Sequence, residues 1–137
     1  MNISEVMTHS VKVASPNDSL QVAAQIMDEN DFGLLPVAEN DQLVGMLSDR
    51  DITIRAVAKG MAPEQHKVRE VMTPEVRYVY DDDSIEDAVR NMSDLQIRRL
   101  PVLNRDKRLV GIVSLGDLAL TTEKSAGAAL NSISQPN

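Results

Sequence analysis

Two spacings of apolar residues alternate along the chain. Leu20, Ala23, Ala24 and Met27 fall at i, i+3, i+4 and i+7, the stripe of an amphipathic helix. Ile85, Ala88, Val89 and Met92 repeat that stripe. Ser19 and Ser84 precede the two stripes where an N-cap belongs, and Ser84 with Asp87 has the form of a capping box. Between the stripes lie short continuous apolar runs, which read as strands: Leu34–Val37, Leu43–Leu47, Leu100–Leu103 and Leu109–Val113. Asn40-Asp41 and Asn104–Lys107 supply hairpin-type turns between them. Val11–Val13 and Val76–Tyr80 add β-rich stretches, while Asp49–Lys59 and Leu115 to about Thr122 read as helices. Gly60, with Pro63 beyond it, is placed to stop the first of these helices. Pro36 and Pro101 lack an N–H and predict an irregular strand start or a sheet edge.

These elements come in two copies. Glu5-Val6-Met7-Thr8 recurs 65 positions later as Glu70-Val71-Met72-Thr73. The offset persists through Asp18/Asp83, Met27/Met92 and Leu35-Pro36-Val37/Leu100-Pro101-Val102. One residue inserted near Arg105–Arg108 moves it to 66, after which Leu43-Val44-Gly45, Ser48 and Asp51 match Leu109-Val110-Gly111, Ser114 and Asp117. The unit is β-α-β-β-α, twice, and predicts two small halves packed on one another. The boundaries expected are 1–60 for the first repeat, 61–69 for a connector, 70–124 for the second repeat and 125–137 for a frayed or flexible tail.

Composition narrows the chemistry. The 137 residues include no Cys, no Trp, two Tyr and one Phe. That excludes disulfides, thiolate catalysis and Cys-ligated metals, and leaves no aromatic platform for single-stranded nucleic acid. A net charge of −7 disfavours a broad phosphate-binding or anionic-membrane surface. His9 has no His, Cys or carboxylate partner at ligand spacing and His66 lies in the connector, so no metal site is expected. The acidic run Asp81–Asp83 with Glu86 and Asp87 reads as a solvated helix entrance. No apolar run reaches the ~20 residues of a membrane span. The N-terminus lacks a signal-peptide pattern, and a cytoplasmic protein is expected. No nucleophile–base pair and no G-x-x-x-x-G-K-[ST] loop is present, which argues against an enzyme.

The phrases V-M-T, S-[LI]-x-x-A, L-P-V and G-h-h-S-x-x-D (h, hydrophobic), in this order and twice over, resemble the cystathionine β-synthase (CBS) domain. The tandem pair resembles a Bateman module and covers about residues 3–122. The resemblance implies an α/β (α+β) fold of two repeats packed through their sheets with pseudo-twofold symmetry. It further implies two clefts between the repeats that take adenosine-containing ligands: AMP, ADP or ATP, or else S-adenosylmethionine or NAD. The role implied is regulatory, commonly as a homodimer, with an unidentified regulated protein as partner. A structural association module with empty clefts is the alternative.

The residue types suit such a ligand. Ser48 and Ser114 each end a strand and begin a helix, where a hydroxyl caps the helix or donates to a phosphate oxygen. Asp51 and Asp117, three residues on, can accept from both ribose hydroxyls. The same Ser-x-x-Asp arrangement is also an ordinary helix N-cap, and both readings stand. Arg50, Arg98 and Arg99 are candidate phosphate partners; Lys12, and Arg77 at the matching position, are weaker ones. By family analogy Thr8, Val11, Leu34, Leu35 and Pro36, with Thr73, Val76, Arg99, Leu100 and Pro101, line the clefts and hold adenine between aliphatic side chains. The second motif carries Leu115-Gly116 where the first has Asp49-Arg50. Unequal phosphate preference of the two sites follows. Which opening segment completes which aspartate's site stays open at this level.

Overall fold

The structure is a computed structural model and describes residues 1–74, 76–95 and 99–119. The chain divides into two compact units, Lys12–Val76 and Met1–Val11 with Arg77–Asn137. Each repeat's opening V-M-T phrase therefore belongs to the unit built by the other repeat's strands. The expected tail, 125–137, lies outside the described residues.

In the unit Lys12–Val76, helix α1 spans Leu20–Asn30, with the Ser19 hydroxyl accepting from the Val22 amide at 3.1 Å. It buries Leu20, Ala23 and Met27. Ala24 is exposed, contrary to the four-residue stripe, and Ile26 is half-buried on the opposite flank of Met27. The apolar arc is thus centred one position round from where the sequence puts it. Strands β1 (Leu34–Glu39) and β2 (Gln42–Ser48) pair antiparallel. Asn40 and Asp41 link them with φ of 54° and 64°, the left-handed pair of a type I′ turn. The core gathers Ala14, Leu20, Leu35, Val37, Leu47, Ala56 and Val68, all fully buried.

The helical stretch after β2 changes winding twice. It is α over Asp49–Asp51 (α2), π over Ile52–Ala56 and 3₁₀ over Val57–Lys59. Gly60, at φ 75°, ends it: Met61 N–H reaches back to the Ala56 carbonyl at 3.0 Å and Gly60 N–H to Val57 at 3.1 Å. This is the Schellman stop the sequence predicts.

The other unit repeats the plan. Strand β3 (Val79–Tyr80) runs parallel to β4 (Arg99–Leu103), which pairs antiparallel with β5 (Leu109–Ser114). Helix α3 (Ile85–Leu95) buries Ile85, Ala88, Val89 and Met92, the full predicted stripe, and the Ser84 hydroxyl accepts from the Asp87 amide at 3.1 Å. Helix α4 spans Leu115–Ala119. The second hairpin turn carries the inserted residue; Asn104 Oδ1 accepts from the amides of Asp106 and Arg108, both at 3.0 Å, and Lys107 takes φ 64°.

The β-rich stretches at the start of each repeat are shorter than the sequence suggests. The first, Val11–Val13, forms no strand, and only the next residue, Ala14, makes a bridge, to Val37; the second contributes the two residues of β3. Pro36 and Pro101 account for this. Ala14 donates to the Pro36 carbonyl at 3.0 Å, so the neighbouring strand lies on the side where Pro36 has no N–H to return. The parallel ladder cannot extend past that point. Both prolines sit inside their strands and are buried, rather than at a strand start.

Candidate functional site

Each unit brings its Ser-x-x-Asp motif beside the V-M-T segment it has recruited. In the unit Lys12–Val76, Val68–Glu70 form a single 3₁₀ turn that delivers Met72 and Thr73 to β2. Thr73 and Met46 exchange both backbone hydrogen bonds, at 2.8 and 2.9 Å. In the other unit Ile3–Glu5 form the matching turn, and Thr8 exchanges bonds with Ile112 of β5 at 2.8 and 3.0 Å. The pairing left open by the sequence is thereby assigned: the Thr73 segment flanks Ser48 and Asp51, and the Thr8 segment flanks Ser114 and Asp117.

Two glycines permit this approach. A Cβ on Gly45 would lie 2.9 Å from the Thr73 carbonyl oxygen and 2.8 Å from Met72 Sδ. A Cβ on Gly111 would lie 2.9 Å from the Thr8 carbonyl oxygen and 2.5 Å from Met7 Sδ. Both spacings are closer than a side-chain carbon tolerates, so the Gly in each G-h-h-S phrase is required by the adjacent backbone.

The aspartates are built into the helix starts. The Asp51 amide donates to Ser48 Oγ at 3.0 Å, and the Ser48 amide donates to Asp51 Oδ2 at 2.9 Å. Asp117 and Ser114 repeat the reciprocal pair at 3.2 and 2.9 Å. The capping reading is therefore realised in both copies. It engages Oδ2 of each carboxylate and leaves the Oδ1 side of Asp51 facing Arg55, whose Nε lies 3.8 Å away. Asp51 keeps 18% of its side-chain surface exposed, so this carboxylate is reachable but mostly enclosed.

The remaining candidates fall around these two motifs. Leu34 pairs with Ser48 and Pro36 with Met46; Arg99 pairs with Ser114 and Pro101 with Ile112. Arg50 is exposed beside Asp51, with its amide donating to Asp49 Oδ1 at 2.8 Å. Arg99 is exposed at the start of β4. Val11 and Val76 are half-buried at the ends of their units, and Lys12 is exposed. Arg98 lies outside the described residues. Sequence reasoning missed Arg55, which donates from Nη1 to the Val71 carbonyl at 3.2 Å; its i+4 spacing from Asp51 was the available signal.

His66 pairs with Glu70 at 3.0 Å. Hydrogen bonding from the Lys67 amide, then from His66, holds the Glu70 carboxyl below its ordinary value. Among the described residues no group of three or more His, Asp or Glu side chains is arranged to hold a metal ion. No described helix is long and apolar enough to cross a membrane.

A doubled helix-and-hairpin unit with a Ser-x-x-Asp cap at each strand-to-helix junction defines a small tandem-repeat module. The family model for the CBS domain matches residues 3–57 and 68–121, and the chain belongs to the CBS domain family. It is 44% identical over 138 residues to the CBS domain-containing protein YhcV of Bacillus subtilis (strain 168), covering 99% of this chain and 97% of that one. Solved structures agree. Hypoxic Response Protein I with two coordinated zinc ions is 36% identical with a TM-score of 0.79, over 88% of this chain and 98% of that one. CBSX2 in complex with AMP is 27% identical with a TM-score of 0.75, over 90% and 96%. The CBS domain pair of protein MJ0100 with 5′-methylthioadenosine and S-adenosyl-L-methionine is 25% identical with a TM-score of 0.75, over 90% and 97%.

Proposed function

We propose that this chain is a non-enzymatic regulatory module that binds an adenosine-containing ligand, with AMP, ADP or ATP as the first candidates, at its Ser-x-x-Asp motifs. The observation that carries the reading is the repeated construction of the site. In both units an enclosed aspartate, held by its serine, stands at the end of the strand flanked by the Met-Thr segment. A carboxylate so fixed accepts ribose hydroxyls without first being ordered, which lowers the cost of binding. The complexes of CBSX2 with AMP and of MJ0100 with two sulfur-bearing adenosine compounds support the ligand class. Thr73, Leu34 and Pro36 in one unit, and Thr8, Arg99 and Pro101 in the other, stand nearest these motifs and are proposed to contact it. Arg50 and Arg99, with Arg98, are proposed as phosphate partners.

Calorimetric titration with AMP, ADP, ATP, NAD and S-adenosylmethionine tests this reading. A ligand at 100 times its dissociation constant adds about 2.7 kcal/mol to folding stability. Equal affinity for adenosine and AMP would remove the phosphate partners. Absence of any thermal shift at millimolar ligand would leave the second reading, an association module whose aspartates serve as caps; the reciprocal Ser–Asp bonds favour it. A cytoplasmic homodimer is proposed for either case, with light scattering as its check.

A further inference from the structure

Arg55 touches both walls of the Asp51 motif. Its Nε lies 3.8 Å from Asp51 Oδ1, and its Nη1 donates to the Val71 carbonyl at 3.2 Å. Val71 immediately precedes Met72 and Thr73, the segment that packs on Gly45 and pairs with Met46. One guanidinium therefore ties the carboxylate at the helix start to the strand-like segment beside β2. An isolated exposed i,i+4 pair contributes little, because a long side chain must be ordered for a weak, screened attraction. The hydrogen bond to the Val71 carbonyl changes this. A planar guanidinium fixed on a backbone carbonyl is already oriented when it meets the carboxylate. The helical winding from Ile52 to Ala56 is π rather than α, a local irregularity that recurs at functional sites, and Arg55 stands within it.

We infer that Arg55 is a positioning residue that sets the Asp51 carboxylate for ribose and holds the Met72–Thr73 segment against it. The inference rests on the adenosine reading for its ligand half and on geometry alone for its structural half. The two copies differ in residue type at this position. At the 66-residue offset the chain carries Thr121, an uncharged side chain, where Arg55 stands in the first copy. At the Asp51 motif, Arg55 is thus a cation separate from the exposed Arg50.

The test uses the full chain and follows the Ser48 and Asp51 amides by NMR during titration with adenosine, AMP and 2′,3′-dideoxyadenosine. Arg55→Gln, which keeps length and loses charge, should weaken adenosine and AMP to the same degree, about fivefold. It should leave dideoxyadenosine unchanged, because that ligand lacks the 2′ and 3′ hydroxyls proposed to meet Asp51. In the Asp51→Ala background the Arg55→Gln effect should vanish. Without ligand, Arg55→Gln should speed hydrogen exchange at the Thr73 and Met46 amides while leaving Thr8 and Ile112 alone. A loss for AMP but not adenosine would make Arg55 a direct phosphate contact and overturn the inference. Equal loss for dideoxyadenosine, or unchanged binding and exchange, would overturn it too. Should none of the three ligands move the Ser48 and Asp51 amides in the unmodified chain, the adenosine reading and the ribose role fall together. The exchange measurement then decides the tie between Arg55 and the Met72–Thr73 segment by itself.

Discussion

Ser48 and Asp51 hold each other twice: the Asp51 amide donates to Ser48 Oγ at 3.0 Å, and the Ser48 amide donates to Asp51 Oδ2 at 2.9 Å. The carboxylate thus has a structural duty and a proposed ligand duty, and two substitutions separate them. Ser48→Ala removes the hydroxyl half of the cap and keeps the carboxylate. Asp51→Ala removes both the carboxylate cap and the ribose partner. Each should cost about 0.5–2 kcal/mol of stability in chemical denaturation. Asp51→Ala should lose a further 1.5–3 kcal/mol or so of adenosine affinity, the worth of a hydrogen bond to a charged group. Equal affinity losses for the two variants would show the aspartate acting only as a cap. Asp117→Ala against Ser114→Ala repeats the comparison in the other unit.

Gly45 and Gly111 are predicted to be intolerant of a methyl group. In Gly45→Ala the new carbon meets the Thr73 carbonyl oxygen at 2.9 Å, and backbone cannot rotate aside as a side chain can. The variant should lose about 1–3 kcal/mol, the usual cost of overpacking, with Thr73 and Met46 amides exchanging fastest. Gly60→Ala is the control for backbone conformation, since nothing lies within 4 Å of its Cβ position and its strain comes from φ 75° alone. A Gly60→Ala variant that loosens the Thr73 pairing as much as Gly45→Ala does would refute the close-contact account.

Most of this architecture was legible because local rules and tertiary packing agree. Leu20, Met27, Ile85 and Met92 are buried where helical spacing puts them, and Asn40-Asp41 turns as its residue types require. Ala24 was misplaced because a methyl side chain carries too little hydrophobicity to fix which flank of a helix faces inward. The shortened first strands were hidden because the cause lies in a neighbour, Pro36 or Pro101, and not in the strand's own residues. The recruitment of the Thr73 segment by β2 is a long-range pairing, and no spacing rule encodes it. Once known, it explains why Gly45 and Gly111 stand where they do, which the sequence alone suggested only as part of a family phrase.

Glu70 should make the Val68–Glu70 turn sensitive to acid. The Lys67 amide donates to its Oε2 at 2.6 Å, and His66 adds a second hydrogen bond, so the carboxyl is held below its ordinary value of 4.5. A depressed carboxyl contributes its stabilisation above the unfolded value and loses it as pH falls through the folded one. The window therefore opens near pH 4.5 and extends downward. Exchange at the Lys67 amide should accelerate through this range, and Glu70→Gln should abolish the dependence. His66→Ala should raise the Glu70 carboxyl part of the way and no further, since the Lys67 amide remains. A full return to 4.5 in His66→Ala would contradict the ranking of the two donors.

Arg105 is predicted to organise the second hairpin in place of the tight turn used by the first. The inserted residue widens this loop, and the Arg105 side chain reaches from it to the acidic run Asp82–Asp83. Its Nε reaches both oxygens of Asp82 at 3.0 and 2.9 Å, its Nη2 approaches Asp83 at 3.6 Å, and its Cζ lies 4.0 Å from the centre of the Tyr80 ring. Tyr78 meets Tyr80 edge-on at 5.6 Å, and Lys107 lies 5.9 Å from the Tyr78 ring centre. Hydrogen bonding to Arg105 holds the Asp82 carboxyl below its ordinary 3.8. Its stabilising contribution is accordingly complete above pH 3.8 and fades as pH falls through the depressed value. In Arg105→Gln the Asp82 carboxyl should return toward 3.8, and that part of the acid dependence should disappear. Amides of residues 104–108 should exchange faster, while those of the Asn40-Asp41 turn keep their rates. High salt should reproduce part of the effect in the unmodified chain, because Arg105 and Asp82 are exposed and screened by ions. Unchanged exchange at 104–108 would mean that Arg105 does not hold the turn and that other contacts, such as the Asn104 bonds to Asp106 and Arg108, suffice.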